Sequence, residues 1–181
     1  MLILAIDPGT KQSAYSLIRE DYSIVSAAKL PNEDVLALIH HGEFDVLVIE
    51  CMEPRFHAPG AGKTMGLRIG DEVYETCIWI GRFMEAAYAR GKQVFRVFRS
   101  EERARLIPTK KNGLPPLVGK VGESGDSKMR AALIARFARH DKVNGKGRAA
   151  NKDFFYGFRA DMWNSFAVGV VYLDKCREER A

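Results

Sequence analysis

The chain opens with three short apolar runs joined by connections too short to be anything but turns, and apolar runs then alternate with helical patterns. This change of rhythm limits the possible folds more than any other feature. Leu2–Asp7 (LILAID) is closed by Pro8-Gly9, a strand running into a turn. Ser13–Arg19 carries Tyr15, Leu17 and Ile18, and Tyr22–Leu30 carries Ile24 and Val25, with Glu20-Asp21 between them as a hairpin turn. Strands connected this closely run antiparallel. Asn32 predicts the cap of a short helix bearing Val35, Leu36, Leu38 and Ile39, with Gly42 as its stop. Asp45–Glu50 (DVLVIE) is a fully buried strand type with an acidic end.

After a Gly/Pro-rich loop over 51–67, Arg68–Arg90 reads as a long helix. Its residues Val73, Cys77, Ile80, Met84 and Ala87 fall near one face, and Gly91 ends it. Trp79, Phe83 and Tyr88 exceed what one inward stripe needs, which makes this helix a candidate dimer interface. Gln93–Phe98 is a fifth strand, and a short helix follows over 100–106. Lys128–Arg139 is amphipathic, with Met129, Ala132, Leu133 and Phe137 inward and Ser127 as its cap. Ala160–Cys176 is a final helix with Phe166, Gly169, Val170 and Leu173 buried. Segments 107–125 and 140–158 read as polar loops. Helical crossovers between the later strands suit parallel pairing. The expectation is an α/β fold: a mixed five-stranded sheet, order 3-2-1-4-5, flanked by helices. No repeat or linker divides it, so residues 1–181 are expected to form one domain.

Composition removes several function classes. Hydrophobic residues are 46% and charged residues 28%, an ordinary globular balance. No apolar run is long enough for a membrane span, and Leu2–Ile6 meets Asp7 too soon to be a secretory signal. Three scattered cysteines and four scattered histidines form neither a disulfide framework nor a zinc pattern, which points to a reducing, cytoplasmic setting. The net charge of +5 is unevenly spread. Residues 101–152 hold 13 Lys/Arg against 5 Asp/Glu, a net of +8, while the rest of the chain is at −3. A basic third of a chain suits a polyanionic partner.

Three carboxylates stand where packing explains them poorly. Asp7 ends the first strand, Glu50 ends the fourth, and Asp161 opens the last helix. In the order 3-2-1-4-5, strands one and four are parallel neighbours, so Asp7 and Glu50 emerge side by side. Such a pair serves proton transfer, as in glycosidases, or holds hard divalent cations through oxygen ligands. A basic surface beside it favours the second, because two metals can activate water and stabilise the leaving oxygen of a phosphodiester.

At these residues the chain resembles a family. LILAIDPG is similar to the first motif of RuvC-type Holliday junction resolvases, and VLVIE resembles their second. GDEVYETCIWIGRF, GDSKMRAALIARF and YGFRADMWNSFAVGVVYL look like a phage-encoded RuvC-like branch. The likeness covers roughly residues 1–106 and 122–175. It implies an RNase H-like fold, a homodimer in the cytoplasm (of a host, if phage-encoded), and incision of four-way junctions that depends on Mg²⁺, with Mn²⁺ as substitute. It carries Asp7, Glu50 and Asp161 over as metal ligands. Asn164 stands where the family often has a fourth acid, and Glu72, Glu75 and Asp126 are alternative fourth ligands.

Lys128 matches a family lysine near the scissile phosphate, and Arg103 a second basic position. Phe56 lies where relatives place an aromatic wedge at the junction centre. Lys63 on the same glycine-rich loop, Arg68 at the start of the helix that follows, and Arg130 complete the expected DNA contacts. GAGKT at 60–64 is not a phosphate loop, because the first glycine of that motif would fall on His57; no nucleotide cofactor is expected. Two other readings stay open: a related nuclease that cuts other branched DNA, and a protein that holds junctions without cutting.

Overall fold

The computed structural model describes residues 1–53, 71–110, 112–114, 117 and 121–180. Five strands form one sheet: β1 (Leu2–Asp7), β2 (Gln12–Arg19), β3 (Ile24–Pro31), β4 (Val46–Cys51) and β5 (Gln93–Phe98). Their order is β3-β2-β1-β4-β5. β1, β2 and β3 pair antiparallel through their short connections, and β4 pairs parallel with both β1 and β5. This is the expected sheet. The helices are α1 (Asn32–His41), α2 (Asp71–Ala89), α3 (Arg99–Leu106), α4 (Gly125–Phe137) and α5 (Met162–Glu178).

Strand alternation sorts the core into two layers. Leu4, Ile6, Leu47 and Ile49 face α1 and α2, packing with Val35, Ile39, Phe83 and Ala87. Ile3, Ala5, Val46 and Val48 face the other way, against Phe166, Ala167, Val170 and Val171 of α5. α5 is held very close to the sheet. A Cβ on Gly169 would lie 2.4 Å from Ile18 Cδ1 and 3.1 Å from the Ala5 Cβ, and the buried hydroxyls of Ser16 and Ser165 are 2.8 Å apart. Both contacts fix the depth and register of α5 across β1 and β2.

Several local expectations need correction. Asn32 does not cap α1. Its amide donates to the Gly9 carbonyl at 2.9 Å and accepts from the Ser13 hydroxyl at 2.7 Å, so it staples the β1–β2 turn to the end of β3. The cap of α4 is Ser124, which accepts from the N–H of Ser127 at 3.1 Å. Trp79 and Phe83 are not surplus: Phe83 is fully buried in the α1/α2 layer and Trp79 packs against it, ring centroids 5.5 Å apart. Tyr88 is exposed, as are Tyr74 and Ile78 on the same helix. Segment 140–158 is more ordered than a polar loop. It contains a small antiparallel hairpin, β6 (Gly147–Arg148) and β7 (Asn151–Lys152). Among the described residues no helix is long and apolar enough to cross a membrane.

Candidate active site

Ile6 of β1 pairs with Ile49 of β4 in the parallel register, so the residues that follow them, Asp7 and Glu50, leave the sheet at the same edge. The alternation that turns Ala5 and Val48 toward α5 turns Asp7 and Glu50 the same way. α5 begins above this edge. Its first turn supplies Asn164, whose amide hydrogen-bonds the Asp7 carboxylate. Burial, and then the adjacent Glu50 charge, push the Asp7 carboxyl well above its usual range, while Asn164 and Arg99 pull it back.

Two further groups, which the sequence motifs did not mark, come from α3. Arg99 follows β5 directly, and its Nε donates to Glu50 Oε1 at 2.8 Å. Glu50 in turn holds the Arg99 guanidinium more firmly charged than usual. Glu102, one turn later, is 1% exposed, and its Oε1 has no hydrogen-bond partner. Burial, then the charges of Glu50 and Asp7, raise its pKa to about 9. Three carboxyls thus share one neighbourhood with two guanidiniums, Arg99 and, farther from Asp7, Arg103. The Oε2 atom of Glu50 is likewise buried and unpartnered. This charge imbalance is relieved by proton uptake or by a further cation. The helix itself is expected from the sequence, but the signal for these two residues is faint: an arginine directly beyond the strand that borders β4, then an acid three residues on.

Asp161, the residue before α5, lines a cleft of about 230 Å³ with Asp7, Lys11, Gln12 and Lys29. It is half-exposed, and Lys29 Nζ of β3 lies 2.5 Å from its Oδ2. A second cleft, of about 280 Å³, is lined by Glu50, Glu53, Thr76, Ile80 and Arg99 and shares Asp7 and Pro8 with the first. Among the described residues, no three carboxylate, histidine or cysteine groups converge closely enough to enclose one ion as they stand.

The alternative fourth acids are placed elsewhere. Glu72 and Glu75 are exposed on α2. Asp126 is exposed and paired with Arg99 and Arg103 at 3.7 and 3.9 Å, so it reaches Glu50 only through Arg99. The Arg103 guanidinium lies against Gly125 at the start of α4, in the space a Cβ there would take. Lys128 is exposed in the first turn of α4, and Arg130 lies over the buried Trp163 ring at 4.7 Å. Phe56, Lys63, Arg68 and the GAGKT run lie outside the described residues.

No protein-family model matches the sequence, and no curated protein matches it either. Solved structures do. Thermus thermophilus RuvC in complex with Holliday junction substrate aligns with a TM-score of 0.59 at 13% identity, over 98% of this chain and 96% of that one. A second Thermus thermophilus RuvC structure aligns with a TM-score of 0.61 at 10% identity, over 99% and 97%. The chain has the RuvC fold. In that RNase H-like fold the sheet order, the parallel β1–β4 pair and the closing helix α5 are the frame, and Asp7, Glu50 and Asn164 meet within it.

Proposed function

We propose that this protein is a divalent-metal-dependent endonuclease that resolves four-way DNA junctions. The observation that carries the reading is the meeting of Asp7 and Glu50, from neighbouring parallel strands, beneath Asn164 of α5 in a chain of RuvC fold. Thermus thermophilus RuvC, which shares that fold, takes a Holliday junction as its substrate. The basic third of this chain matches such a polyanion.

The donor set fits Mg²⁺ or Mn²⁺. It is made of hard oxygens, and the buried Oε2 of Glu50 has no protein partner. Asp7 and Glu50 would hold the ion, with Asn164 contributing its amide oxygen and Asp161 joining on release from Lys29. A bound divalent cation supplies an activated water and stabilises charge on the phosphate. The rest of the task falls to the chain. Arg99 holds Glu50 in place from the β5 side, and Glu102 adds a carboxyl that burial keeps neutral near pH 7. In this reading Lys128 neutralises charge at the reacting phosphate, Arg103, Arg130, Lys63 and Arg68 contact the DNA, and Phe56 stacks at the junction centre.

We place two copies of the chain, each a single nuclease domain, on one junction, because its two equivalent strands want two equivalent sites. The setting is the cytoplasm. One observation favours a protein that holds junctions without cutting: Arg99 already occupies an oxygen of Glu50. Asp7→Asn and Glu50→Gln separate the two readings. Under ours, both variants bind a synthetic four-way junction as the wild type does and fail to cut it. Equal cutting by either variant would exclude this metal site.

A further inference from the structure

Beside the active site stands a cationic hairpin whose construction has no evident role in the chemistry. Residues 139–159 hold six Lys/Arg and two Asp. Both aspartates are turned inward and used up by the backbone. Asp153 has a fully buried side chain and accepts from the N–H groups of Arg139, His140, Asp141 and Phe154 at 2.6 to 3.0 Å. Burial opposes its ionisation, but these four donors outweigh that and hold its carboxyl well below the usual range. Asp141 accepts from the N–H groups of Val143, Asn144, Lys146 and Gly147 at 2.9 to 3.3 Å.

Gly145 and Gly147 complete the frame with positive φ of 72° and 66°, and a Cβ on Gly147 would lie 2.3 Å from the Asn151 carbonyl oxygen. The frame is anchored from below, where Phe155 and Phe158 pack on Trp163 and Phe166 of α5, the helix that also carries Asn164. Lys142 is spent at the end of α4, on the Ala138 carbonyl. Arg139, Lys146, Arg148 and Lys152 have no acidic partner among the described residues, and only Lys152 touches a ring, that of Tyr156 at 4.8 Å. The two-residue tip is Ala149-Ala150, which offers nothing to stack on or read a base.

We propose that this hairpin is a preformed grip for the phosphate backbone of a duplex DNA arm, contacting it without regard to sequence. The inference rests on the function proposed above and adds where an arm is held. Unpaired cations that outnumber the hairpin's two backbone-bound carboxylates displace the counterions of a duplex, and a tip without readout side chains leaves the phosphates as its partner. Rigid mounting on α5 ties the held arm to the site at the start of that helix.

The test uses the full-length protein with Arg148→Ala/Lys152→Ala and the charge-preserving Arg148→Lys/Lys152→Arg. Affinity for a synthetic four-way junction and a linear duplex is measured across salt concentrations, alongside the thermal midpoint and the single-turnover cutting rate at saturating protein. The alanine pair is expected to keep the wild-type midpoint and saturating cutting rate. It should weaken both DNAs ~10-fold or more near 0.1 M salt and make the salt slope shallower by ~2, since each phosphate contact contributes ~0.9. The charge-preserving pair should bind as wild type. An unchanged salt slope in the alanine pair overturns the grip, as does equal loss in the charge-preserving pair. If the wild type binds junctions but never cuts, the nuclease reading fails while the grip is still decided by the salt slopes; if it binds no DNA, both fall.

Discussion

Glu102→Gln tests whether the carboxyl cluster is as crowded as its geometry requires. The folded carboxyl titrates near pH 9, while its ordinary value is 4.5. Between those values the unfolded chain has released a proton that the folded chain still holds. Stability therefore falls as pH rises, by ~1.4 kcal/mol per unit. From pH 5 to pH 8 this one group removes up to ~4 kcal/mol from the wild type. Glutamine cannot ionise, so the variant escapes that loss. Its buried amide brings its own penalty of ~1–3 kcal/mol, which is independent of pH. Relative to wild type, the variant should gain up to ~4 kcal/mol between pH 5 and pH 8, or ~8–16 °C in thermal midpoint for a chain of this size. Urea or thermal unfolding of both proteins in the presence of a chelator, at half-unit pH steps, measures this. Parallel loss of stability by the two proteins over the whole range would show that Glu102 ionises normally and that the cluster is not electrostatically strained.

Three other outcomes follow from the same site. Asn164→Asp replaces the amide that bonds Asp7 with a like charge, so it is expected to lower the metal-free midpoint at neutral pH and to reduce the Mg²⁺ needed for half-maximal cutting; unchanged magnesium dependence would place the fourth ligand elsewhere. Lys128→Ala should slow cutting at saturating protein ~10-fold or more while changing affinity by less than that, as a group acting on the reacting phosphate does; wild-type rates would reject the role. Light scattering at micromolar concentration should give the mass of two chains, and a fully active monomer would contradict the paired arrangement.

Much of the frame is legible in the sequence for a simple reason. Hairpin-length connections force β1, β2 and β3 to be antiparallel, and a helical crossover forces β4 parallel to β1, so Asp7 and Glu50 share an edge whatever the packing details. What escaped depends on long-range approach. Glu102 reads as an ordinary acid of a polar helix, and its burial exists only because α3 packs against α4 and α5. Asn32 has a capping residue's identity, but the β1–β2 turn lies within reach of its amide and takes it instead. β6 and β7 have two residues each and no apolar alternation. They are held by Asp141 and Asp153, whose bonds to backbone N–H groups leave no periodic trace. Trp79 and Phe83 looked surplus because the layer under α1 is wider than one helical stripe.

The most direct test of the account is cleavage of an end-labelled synthetic four-way junction by the purified wild-type protein, with a linear duplex of the same sequence in parallel and Mg²⁺ varied from chelated to millimolar. The account predicts incisions on two opposing strands at symmetric positions, none without the metal, and little cutting of the linear duplex. A protein that binds the junction but leaves every strand intact with Mg²⁺ and with Mn²⁺, or one that cuts the linear duplex equally well, would contradict it.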